Sequence, residues 1–456
     1  MDALLLSRVQ FGLTTAFHII FPTLTIGLAL YLVIIEFLWL RTRQEIYYRL
    51  YRFWVKIFAI HFAVGVVTGI TLEFEFGTNF AVFSQKVANV LGPMLAYEGM
   101  TAFFLEAGFL GIMLFGWNRV SPAVHFLSTC LVAAGANLSA LWIMAANAWM
   151  QTPAGYRIEA GTFYLTSLKE AFFNPAFPTH LIHMLLASYS TTAFAVAGIS
   201  AWFLLKRRNE NFYRKSLGLA LIMALLAAPL QVVVGDLKGL AVAEHQPVKL
   251  AAMEAHWETN TEGGADFTLF ALPDPENERN RFAISIPGAL SWLITHSADG
   301  RIAGLKDVPK ADRPNVMVTF WTFRFMVAIG FLFLGIAVWT AVLWFRKKLF
   351  TTPGYFKVLV AVQPLGFAAT ILGWVTAEMG RQPWIVYGLM RTSEGGSPIP
   401  AGNVVWSLIM FILFFGLIGA AYFYYTIKAL RHGPDMDSPI PTVQMPADLH
   451  PKDARR

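Results

Sequence analysis

Long apolar runs and short polar segments alternate along the whole chain. A transmembrane helix needs about 20 predominantly apolar residues, because that length crosses the hydrocarbon core of a bilayer. Nine runs reach this length with few or no Asp, Glu, Lys or Arg residues. Since lipid cannot form hydrogen bonds with the backbone, each run is predicted to be an α-helix. The runs cover 11–40, 54–77, 95–117, 123–150, 180–205, 216–236, 316–345, 357–379 and 402–427.

Lysine and arginine are concentrated in the polar segments after the first, fifth and seventh runs. Cytoplasmic loops of membrane proteins carry such an excess of basic residues. The pattern therefore predicts an N-terminus outside the membrane and a C-terminus in the cytoplasm, as an odd number of spans also requires. The basic residues are Arg41, Arg43, Arg49, Arg52, Lys56, Lys206, Arg207, Arg208, Arg214, Lys215, Arg346, Lys347, Lys348 and Lys357.

One polar segment, 237–315, is much longer than the other connections and lies on the outer side by the same charge count. Structureless loops of this length are uncommon and often functional. Within it, the apolar run from Ala283 to His296 has 14 residues, too few to cross a membrane. We expect this run to form an interfacial or packed helix. The predicted organisation is helices in 1–236, the outer loop, helices in 316–430 and a cytoplasmic tail in 431–456.

Composition agrees with a membrane protein. Apolar residues make up 56% of the 456 residues and charged residues only 14%, whereas soluble domains carry about 25% charged residues. This excludes a disordered chain and a soluble globular enzyme. The net charge of +7 lies in the loops, so no nucleic-acid partner is expected. One cysteine excludes a disulfide framework, a Cys-ligated iron–sulfur cluster and covalent c-type haem attachment.

The predicted fold class is therefore an all-α polytopic bundle of nine transmembrane helices, and several ionisable side chains lie inside it. Such a group costs about 2.5–3.5 kcal/mol at the bilayer centre. The residues are Glu98 and Glu106 in the third run, Arg324 in the seventh, and Glu378, just before Arg381, in the eighth. In an ideal α-helix Glu98 and Glu106 lie about 80° apart and can face one interior. These groups must face partners, water or a cofactor; interhelical salt bridges are the structural alternative.

Histidine and methionine also occur at membrane depth, as His18, His183 and Met326. A lone histidine in a bundle is more often a hydrogen-bonded core residue, and methionine more often fills gaps. Imidazole and thioether are, however, the axial ligands of haem in many cytochromes, and helical bundles build such sites from facing helices. The residues alone indicate a redox or proton-coupled membrane protein.

At these positions the chain resembles subunit I of the cytochrome bd-type quinol oxidases. The resemblance runs through nearly the whole chain in order, and the blocks are specific only together. The blocks are GITLEFEFGTN (Gly69–Asn79), Glu98-Gly99 with Phe103-Phe104-Leu105-Glu106, NLSALWIMAANAWMQ (Asn137–Gln151), KLAAMEAHW (Lys249–Trp257), Phe323-Arg324-Phe325-Met326 and GRQPW (Gly380–Trp384).

The resemblance implies an enzyme that oxidises quinol at the outer face and reduces dioxygen to water, generating proton motive force without pumping. It implies a low-spin haem b, a high-spin haem b and a haem d, or a further haem b in its place. By position, His183 and Met326 resemble the axial ligands of low-spin haem b, with Arg324 beside them. His18 resembles the ligand of one oxygen-side haem, and Glu378 the ligand or close neighbour of the other.

The remaining matches concern quinol, protons and electrons. Lys249 and Glu254 resemble the quinol-site pair, and Trp374 an electron-relay aromatic. Glu98 is expected between the oxygen-side haems, and Glu106 resembles a proton-path carboxylate. Arg381, in the GRQPW block, is grouped with the cofactor-binding residues. The outer loop lacks an extension that some relatives carry, which leaves cyanide sensitivity and the choice of ubiquinol or menaquinol open.

The resemblance also implies partners and a location. We expect a second large membrane subunit (subunit II), a possible small single-helix subunit, and contact with lipid in the bacterial cytoplasmic (inner) membrane. Two other interpretations are considered. A proton-coupled transporter would explain the intramembrane carboxylates and the helices interrupted at Pro229 and Pro364. A structural haem-binding subunit without oxygen chemistry would keep only the low-spin haem.

Overall fold

The structure is a computed structural model that describes residues 2–437 and 440. Within these residues, nine helical stretches are long and apolar enough to cross a membrane, which confirms the predicted bundle. They are Ala3–Thr42, Glu45–Thr78, Ala81–Phe115, Pro122–Gln151, Phe177–Leu205, Glu210–His245, Lys310–Phe345, Pro353–Met379 and Ala401–His432. Most of the predicted cytoplasmic tail lies outside the described residues.

The α-helices of the described residues are numbered in chain order. They are α1 (Ala3–His18), α2 (Ile20–Thr42), α3 (Glu45–Thr78), α4 (Ala81–Tyr97), α5 (Phe104–Phe115), α6 (Pro122–Gln151), α7 (Leu168–Phe172), α8 (Phe177–Leu205), α9 (Glu210–His245), α10 (Pro247–Glu254), α11 (Ala289–Thr295), α12 (Val316–Phe345), α13 (Pro353–Val362), α14 (Leu365–Met379) and α15 (Ala401–His432). Three antiparallel strand pairs accompany them: β1 (Tyr156–Glu159) with β2 (Thr162–Leu165), β3 (Phe267–Asp274) with β4 (Arg279–Ile286), and β5 (Trp384–Val386) with β6 (Met390–Arg391).

Four of the spans contain breaks. One is the gap with Pro314 between the 3₁₀ turn Lys310–Asp312 and α12, and proline accounts for two of the other three. Proline lacks the N–H that the carbonyl one turn earlier would accept; Pro22 follows the α1–α2 junction closely, and Pro364 lies within the α13–α14 junction. The remaining break is a π-helical segment, Glu98–Phe103, between α4 and α5. Its i→i+5 hydrogen bonds change the helical angle, so the ideal-helix angle between Glu98 and Glu106 does not apply.

The outer loop contains regular structure. The expectation of a helix over the whole run from Ala283 to His296 is wrong for its first part. Residues 279–286 form β4, and only Ala289–Thr295 is helical. The strand part alternates Phe282, Ile284 and Ile286 with smaller residues, a pattern that favours β-structure. Gly288, with a φ of 66°, separates strand from helix.

The main core lies where α2, α3, α8, α9, α12 and α13 pack together, and it is rich in buried aromatic rings. Small residues allow two of these close helix contacts. A Cβ on Gly27 would lie 2.3 Å from Oγ1 of Thr192, and one on Gly198 would lie 2.5 Å from Cβ of Gln363. Glycine at such contacts lets helix backbones approach in membranes. This packing fixes the helices that present the residues considered below.

Candidate functional site

His18 is the last residue of α1, at the break before α2. Its Nδ1 atom lies 2.9 Å from Oγ1 of Thr68 on α3. A Cβ added to Gly69 would lie 3.2 Å from Cε1 of His18, so the missing side chain leaves room for the ring. Because Thr68 engages Nδ1, the opposite ring nitrogen is the one available as a ligand.

His183 is presented by α8 against α9. A Cβ on Gly235 would lie 3.5 Å from Cε1 of His183, and Nε2 of Gln231 lies 3.4 Å from Nε2 of His183. The Nδ1 atom of His183 has no hydrogen-bond partner in the part of the chain that the structure describes. A buried polar nitrogen without a partner is costly, so this ring is a candidate for binding a further group.

Met326 on α12 has the tightest glycine contact of the three. A Cβ on Gly373 of α14 would lie 2.9 Å from Sδ of Met326, closer than ordinary packing permits. Each of the three expected haem ligands on α1, α8 and α12 therefore faces a glycine on a neighbouring helix. Space beside a ligating atom is what a bulky planar group requires.

Glu254 and Arg324 form an ion pair between the outer loop and α12. Nη2 of Arg324 lies 2.5 Å from Oε2 of Glu254, and Nε of Arg324 donates to the carbonyl of Thr268 at 2.8 Å. The rings of Phe267 and Phe320 lie 4.6 and 4.8 Å from the guanidinium carbon. Burial raises the pKa of Glu254, and the Arg324 charge opposes this shift. The pair is 3% and 9% exposed, so its contacts hold two charges inside the protein.

Lys249 on α10 is buried, and its ammonium group donates to two amide oxygens. Nζ lies 2.5 Å from Oε1 of Gln151 and 2.7 Å from Oε1 of Gln246. Burial lowers the pKa of Lys249, and the nearby Arg381 charge adds to this effect. The stem of Lys249 packs on Gly380, where a Cβ would lie 2.8 Å from Cγ of the lysine. The glycine of the GRQPW block therefore makes room for this lysine.

Glu378, near the C-terminal end of α14, accepts hydrogen bonds from two amides of α6. Nδ2 of Asn147 lies 2.9 Å and Nε2 of Gln151 lies 3.2 Å from its Oε1 atom. Its other oxygen pairs with Nη2 of Arg381. Gln151 therefore links Glu378 to Lys249 through the two ends of one amide. Among the described residues, Nε and Nη1 of Arg381 are buried without a partner.

The predicted relay residues lie along the third and eighth spans. Oγ of Ser139 on α6 donates to Oε1 of Glu98 at 2.7 Å. Glu106 packs on the same helix, where a Cβ on Gly135 would lie 2.6 Å from its Cγ atom. The two carboxylates thus contact α6 one turn apart. Trp374 is partly buried on α14, and its indole N–H has no partner within residues 2–437 and 440.

The structure groups these residues differently from the sequence. Lys249 joins the network of Glu378 and Arg381, while Glu254 joins Arg324. No hydrogen bond between Lys249 and Glu254 occurs in the described part of the chain. Their spacing of five residues in one short helix, followed by Ala255 at a φ of 49°, directs the two side chains to different partners.

Sequence reasoning missed three buried polar clusters. Oε1 of Glu36 lies 2.7 Å from Nδ1 of His125, Oε1 of Glu75 accepts from Oγ1 of Thr14 at 2.5 Å, and Nζ of Lys238 lies 2.7 Å from Nδ1 of His180. Isolated charges within apolar runs were the available signal for Glu36 and Glu75. Lys238 was assigned to the outer loop because the sixth run was ended at residue 236, whereas α9 continues to His245.

Comparisons with known proteins show the family of the chain. The family model described as "Cytochrome bd terminal oxidase subunit I" matches residues 6–434. "Cytochrome bd ubiquinol oxidase subunit 1" of Bacillus subtilis (strain 168) is 36% identical over 448 residues, covering 96% of both chains. "Cytochrome bd-II ubiquinol oxidase subunit 1" of Escherichia coli (strain K12) is 36% identical over 511 residues, covering 97% of this chain and 99% of the relative. The bd oxidase structure from Geobacillus thermodenitrificans superposes with a TM-score of 0.87 at 36% identity, covering 95% of this chain and 99% of that chain.

Proposed function

Since the chain belongs to the cytochrome bd terminal oxidase subunit I family, we propose how its own residues serve the reaction of that family. The chain is a subunit of a haem-containing terminal quinol oxidase, an oxidoreductase of respiratory electron transport. It is a multi-pass membrane protein and part of a complex with other subunits. The proton-coupled transporter interpretation has no support from these relatives.

The network around Glu378, called here the outer network, consists of Glu378, Lys238, Lys249 and Arg381. It fits a haem group because its three basic side chains outnumber its one carboxylate. Lys238, Lys249 and Arg381 interact electrostatically around one carboxylate, Glu378. Arg381 also has two donors without partners among the residues described. Carboxylates form strong hydrogen bonds with such cations, and haem carries carboxylate groups. When bound, haem supplies electron transfer and the reduction of dioxygen.

We assign His183 and Met326 as the axial ligands of a low-spin haem b, with Arg324 as the nearby cation. The supporting observations are that Nδ1 of His183 has no partner among the described residues and that Sδ of Met326 packs closely on Gly373. Imidazole and thioether together are a known axial pair. His18, beside Gly69, is assigned to one oxygen-side haem, and Glu378 to the other or its immediate surroundings. We propose that these two are a high-spin haem b and a haem d, or a further haem b.

Quinol oxidation is assigned to the outer loop. A quinol releases two protons with its two electrons, so its site needs a proton acceptor and a donor that fixes its oxygen. Glu254 suits the first role, because burial raises its pKa and Arg324 orients its carboxylate. Lys249 suits the second role through its Nζ donors. We propose that the N-terminus lies outside the membrane, as the loop charges predict, so that these protons are released on the outer side.

Protons for oxygen reduction are proposed to arrive from the cytoplasmic side through Glu106 and then Glu98. Both carboxylates contact α6, and Ser139 fixes Glu98. Intramembrane acids commonly act as proton relays. Trp374, one turn before Glu378 on α14, is proposed as an aromatic in the electron path. Moving electrons and protons in this way separates charge across the membrane without a pump. Each charge that crosses stores about 2.3 kcal/mol per 100 mV of membrane potential.

The partner subunits, the membrane and the substrates are also proposed. We infer a second large membrane subunit, subunit II, and a small single-helix subunit against the lipid-exposed helices. We also infer the bacterial cytoplasmic membrane as the location, since the relatives named above come from bacteria. The substrate class is a membrane quinol, ubiquinol or menaquinol, together with dioxygen.

The ligand assignment is tested in the purified complex by a reduced-minus-oxidised visible spectrum and oxygen uptake with a soluble quinol. Met326→Leu, which nearly conserves volume, is expected to alter the low-spin band and spare the high-spin bands. Met317→Leu, on the same helix and 37% exposed, is the control. Unchanged bands in Met326→Leu would show that this ligand is wrong, and a wild-type complex without haem bands would refute the oxidase function.

A further inference from the structure

We propose that Lys238, held in place by His180, is a positioned cation that raises the reduction potential of the low-spin haem. This inference rests on the proposed function, because it takes His183 as a ligand of that haem. Neither Lys238 nor His180 is among the proposed ligands, quinol-site residues or relay residues; Lys238 is only one of the three basic residues around Glu378. Their contact is nonetheless close, with Nζ of Lys238 2.7 Å from Nδ1 of His180.

The position of this pair follows from helix geometry. His180 precedes His183 on α8 by three residues, and Lys238 follows Gly235 on α9 by three residues. Three residues advance about 4.5 Å along a helix, or nearly one turn. Gly235 contacts His183, so Lys238 and His180 meet one turn farther toward the outer face. The charge of Lys238 is close enough to act electrostatically on the His183 ring.

The hydrogen bond also fixes the state of His180. An ammonium group can only donate, so Nδ1 of His180 must be the acceptor. The imidazole is then neutral and carries its proton on Nε2. His180 is 6% exposed, and its Nε2 has no partner among the described residues. A cavity with room for about one water lies against His180, Lys238 and Gln246, and a water there can accept this proton.

This arrangement keeps the charge on Lys238 close to the proposed haem. Within the described residues Lys238 forms no ion pair, and the carboxylate that acts on it, Glu378, is already paired with Arg381. A ferric porphyrin centre carries one more positive charge than a ferrous one. A nearby cation therefore disfavours the oxidised form, and local charge is one of the factors that set haem potentials. A higher potential makes this haem a better electron acceptor for quinol.

The experiment measures the midpoint potential of the low-spin haem by spectroelectrochemical titration of the complete complex at fixed pH and high ionic strength. Lys238→Met removes the charge and keeps the length of the stem, whereas Lys238→Arg keeps the charge. Lys206→Met is the control, because Lys206 is exposed at the other end of α8. Lys238→Met is expected to shift the ferric–ferrous equilibrium about tenfold toward ferric, which is about 59 mV for one electron.

The expected pattern is a lower potential in Lys238→Met, a near-normal potential in Lys238→Arg and Lys206→Met, and smaller shifts at the oxygen-side haems. An unchanged potential in Lys238→Met with an intact band would overturn the proposal. If Lys238→Met loses the band, Lys238→Gln is measured instead, because its amide can still donate to His180. A lower potential in Lys238→Gln supports the proposal, and loss of the band in both variants overturns it in favour of an assembly role. A shift confined to another haem would show that the ligand assignment, rather than the charge effect, is wrong.

Discussion

Arg324 and Glu254 contact each other directly, with Nη2 of the arginine 2.5 Å from Oε2 of the glutamate. The sequence suggests separate roles for them, Arg324 beside the low-spin haem and Glu254 in the quinol site. Their ion pair connects α12, which carries Met326, to the outer loop, which carries the proposed proton acceptor. In the proposed mechanism, this one buried contact would couple electron entry to proton release from quinol.

Glu254→Gln is expected to slow quinol oxidation about 10²- to 10⁴-fold, because a neutral amide cannot accept a proton. Electron entry from an artificial donor that bypasses the quinol site should continue. Oxygen uptake with each donor provides the measurement. Glu258→Gln is the control, since the Glu258 side chain is in the same loop and 74% exposed. Equal loss with both donors would argue against a quinol role for Glu254.

The pH dependence of quinol oxidation should reflect the same loop. Burial raises the pKa of Glu254, so the rate should fall on acidification at a pH above that of an ordinary carboxylate. Burial lowers the pKa of Lys249, so loss of its proton should reduce the rate at a pH below that of an ordinary lysine. The resulting optimum should be narrower than for unperturbed groups.

The fall in rate at low pH, the acid limb, is assigned to a residue by comparing the pH profiles of the wild type and Glu254→Gln. We expect the residual activity of Glu254→Gln to lack the acid limb, because its amide does not titrate. Persistence of that limb in Glu254→Gln would assign it to another group. The profile with an artificial electron donor serves as the internal reference for both proteins.

Gly373→Ala should disturb the low-spin site through packing alone. The added Cβ would lie 2.9 Å from Sδ of Met326, and overpacking of this kind costs about 1–3 kcal/mol. We expect a shifted or weakened low-spin band in the reduced-minus-oxidised spectrum. Gly330→Ala is the matched control on α12, because its Cβ would have no atom within 4 Å. Identical spectra for both variants would show that Met326 does not require its present position.

The sequence predicts the helical bundle but not which side chains contact each other inside it. Apolar length alone predicts nine spans, because the backbone in lipid permits little else. The π-helical segment at Glu98 leaves no comparable pattern in the sequence. The apolar run ends before Lys238, whereas α9 continues past it to His245. The pairing of Glu378 with Arg381 follows from their spacing of three residues on a helix. The link through Gln151 depends on how α6, α10 and α14 pack, which local sequence does not encode.

That link can be tested directly. Gln151 is fully buried, donating to Glu378 and accepting from Lys249 and Gln246. Gln151→Leu leaves these partners unsatisfied, at a cost of about 1–3 kcal/mol for each buried group. We expect slower quinol oxidation and a lower thermal midpoint of the complex.

A double-mutant cycle with Glu378→Gln separates a link from two independent effects. Residues in one network couple by about 0.5–3 kcal/mol. We therefore expect the double variant to be less impaired than the sum of the two single variants. Additive losses would mean that Gln151 does not connect the two sites. Gln44→Leu, at an exposed position before α3, is the control for the change of residue type.

The buried contact between Glu36 and His125 is expected to stabilise the bundle rather than to serve the reaction. Glu36 accepts from Oγ1 of Thr129 at 2.6 Å and lies 2.7 Å from Nδ1 of His125, with Tyr51 extending the cluster. Its contacts join α2, α3 and α6 in the main core. Glu36→Ala leaves buried donors unpaired and should lower stability by about 1–3 kcal/mol, measured as a lower thermal midpoint of the purified complex. The oxidase rate per haem should stay near the wild-type value, as in Glu45→Ala, whose glutamate side chain is 48% exposed. A normal midpoint with a much lower rate would instead indicate a role for Glu36 in the reaction, for which proton transfer is the chemistry open to a buried carboxylate.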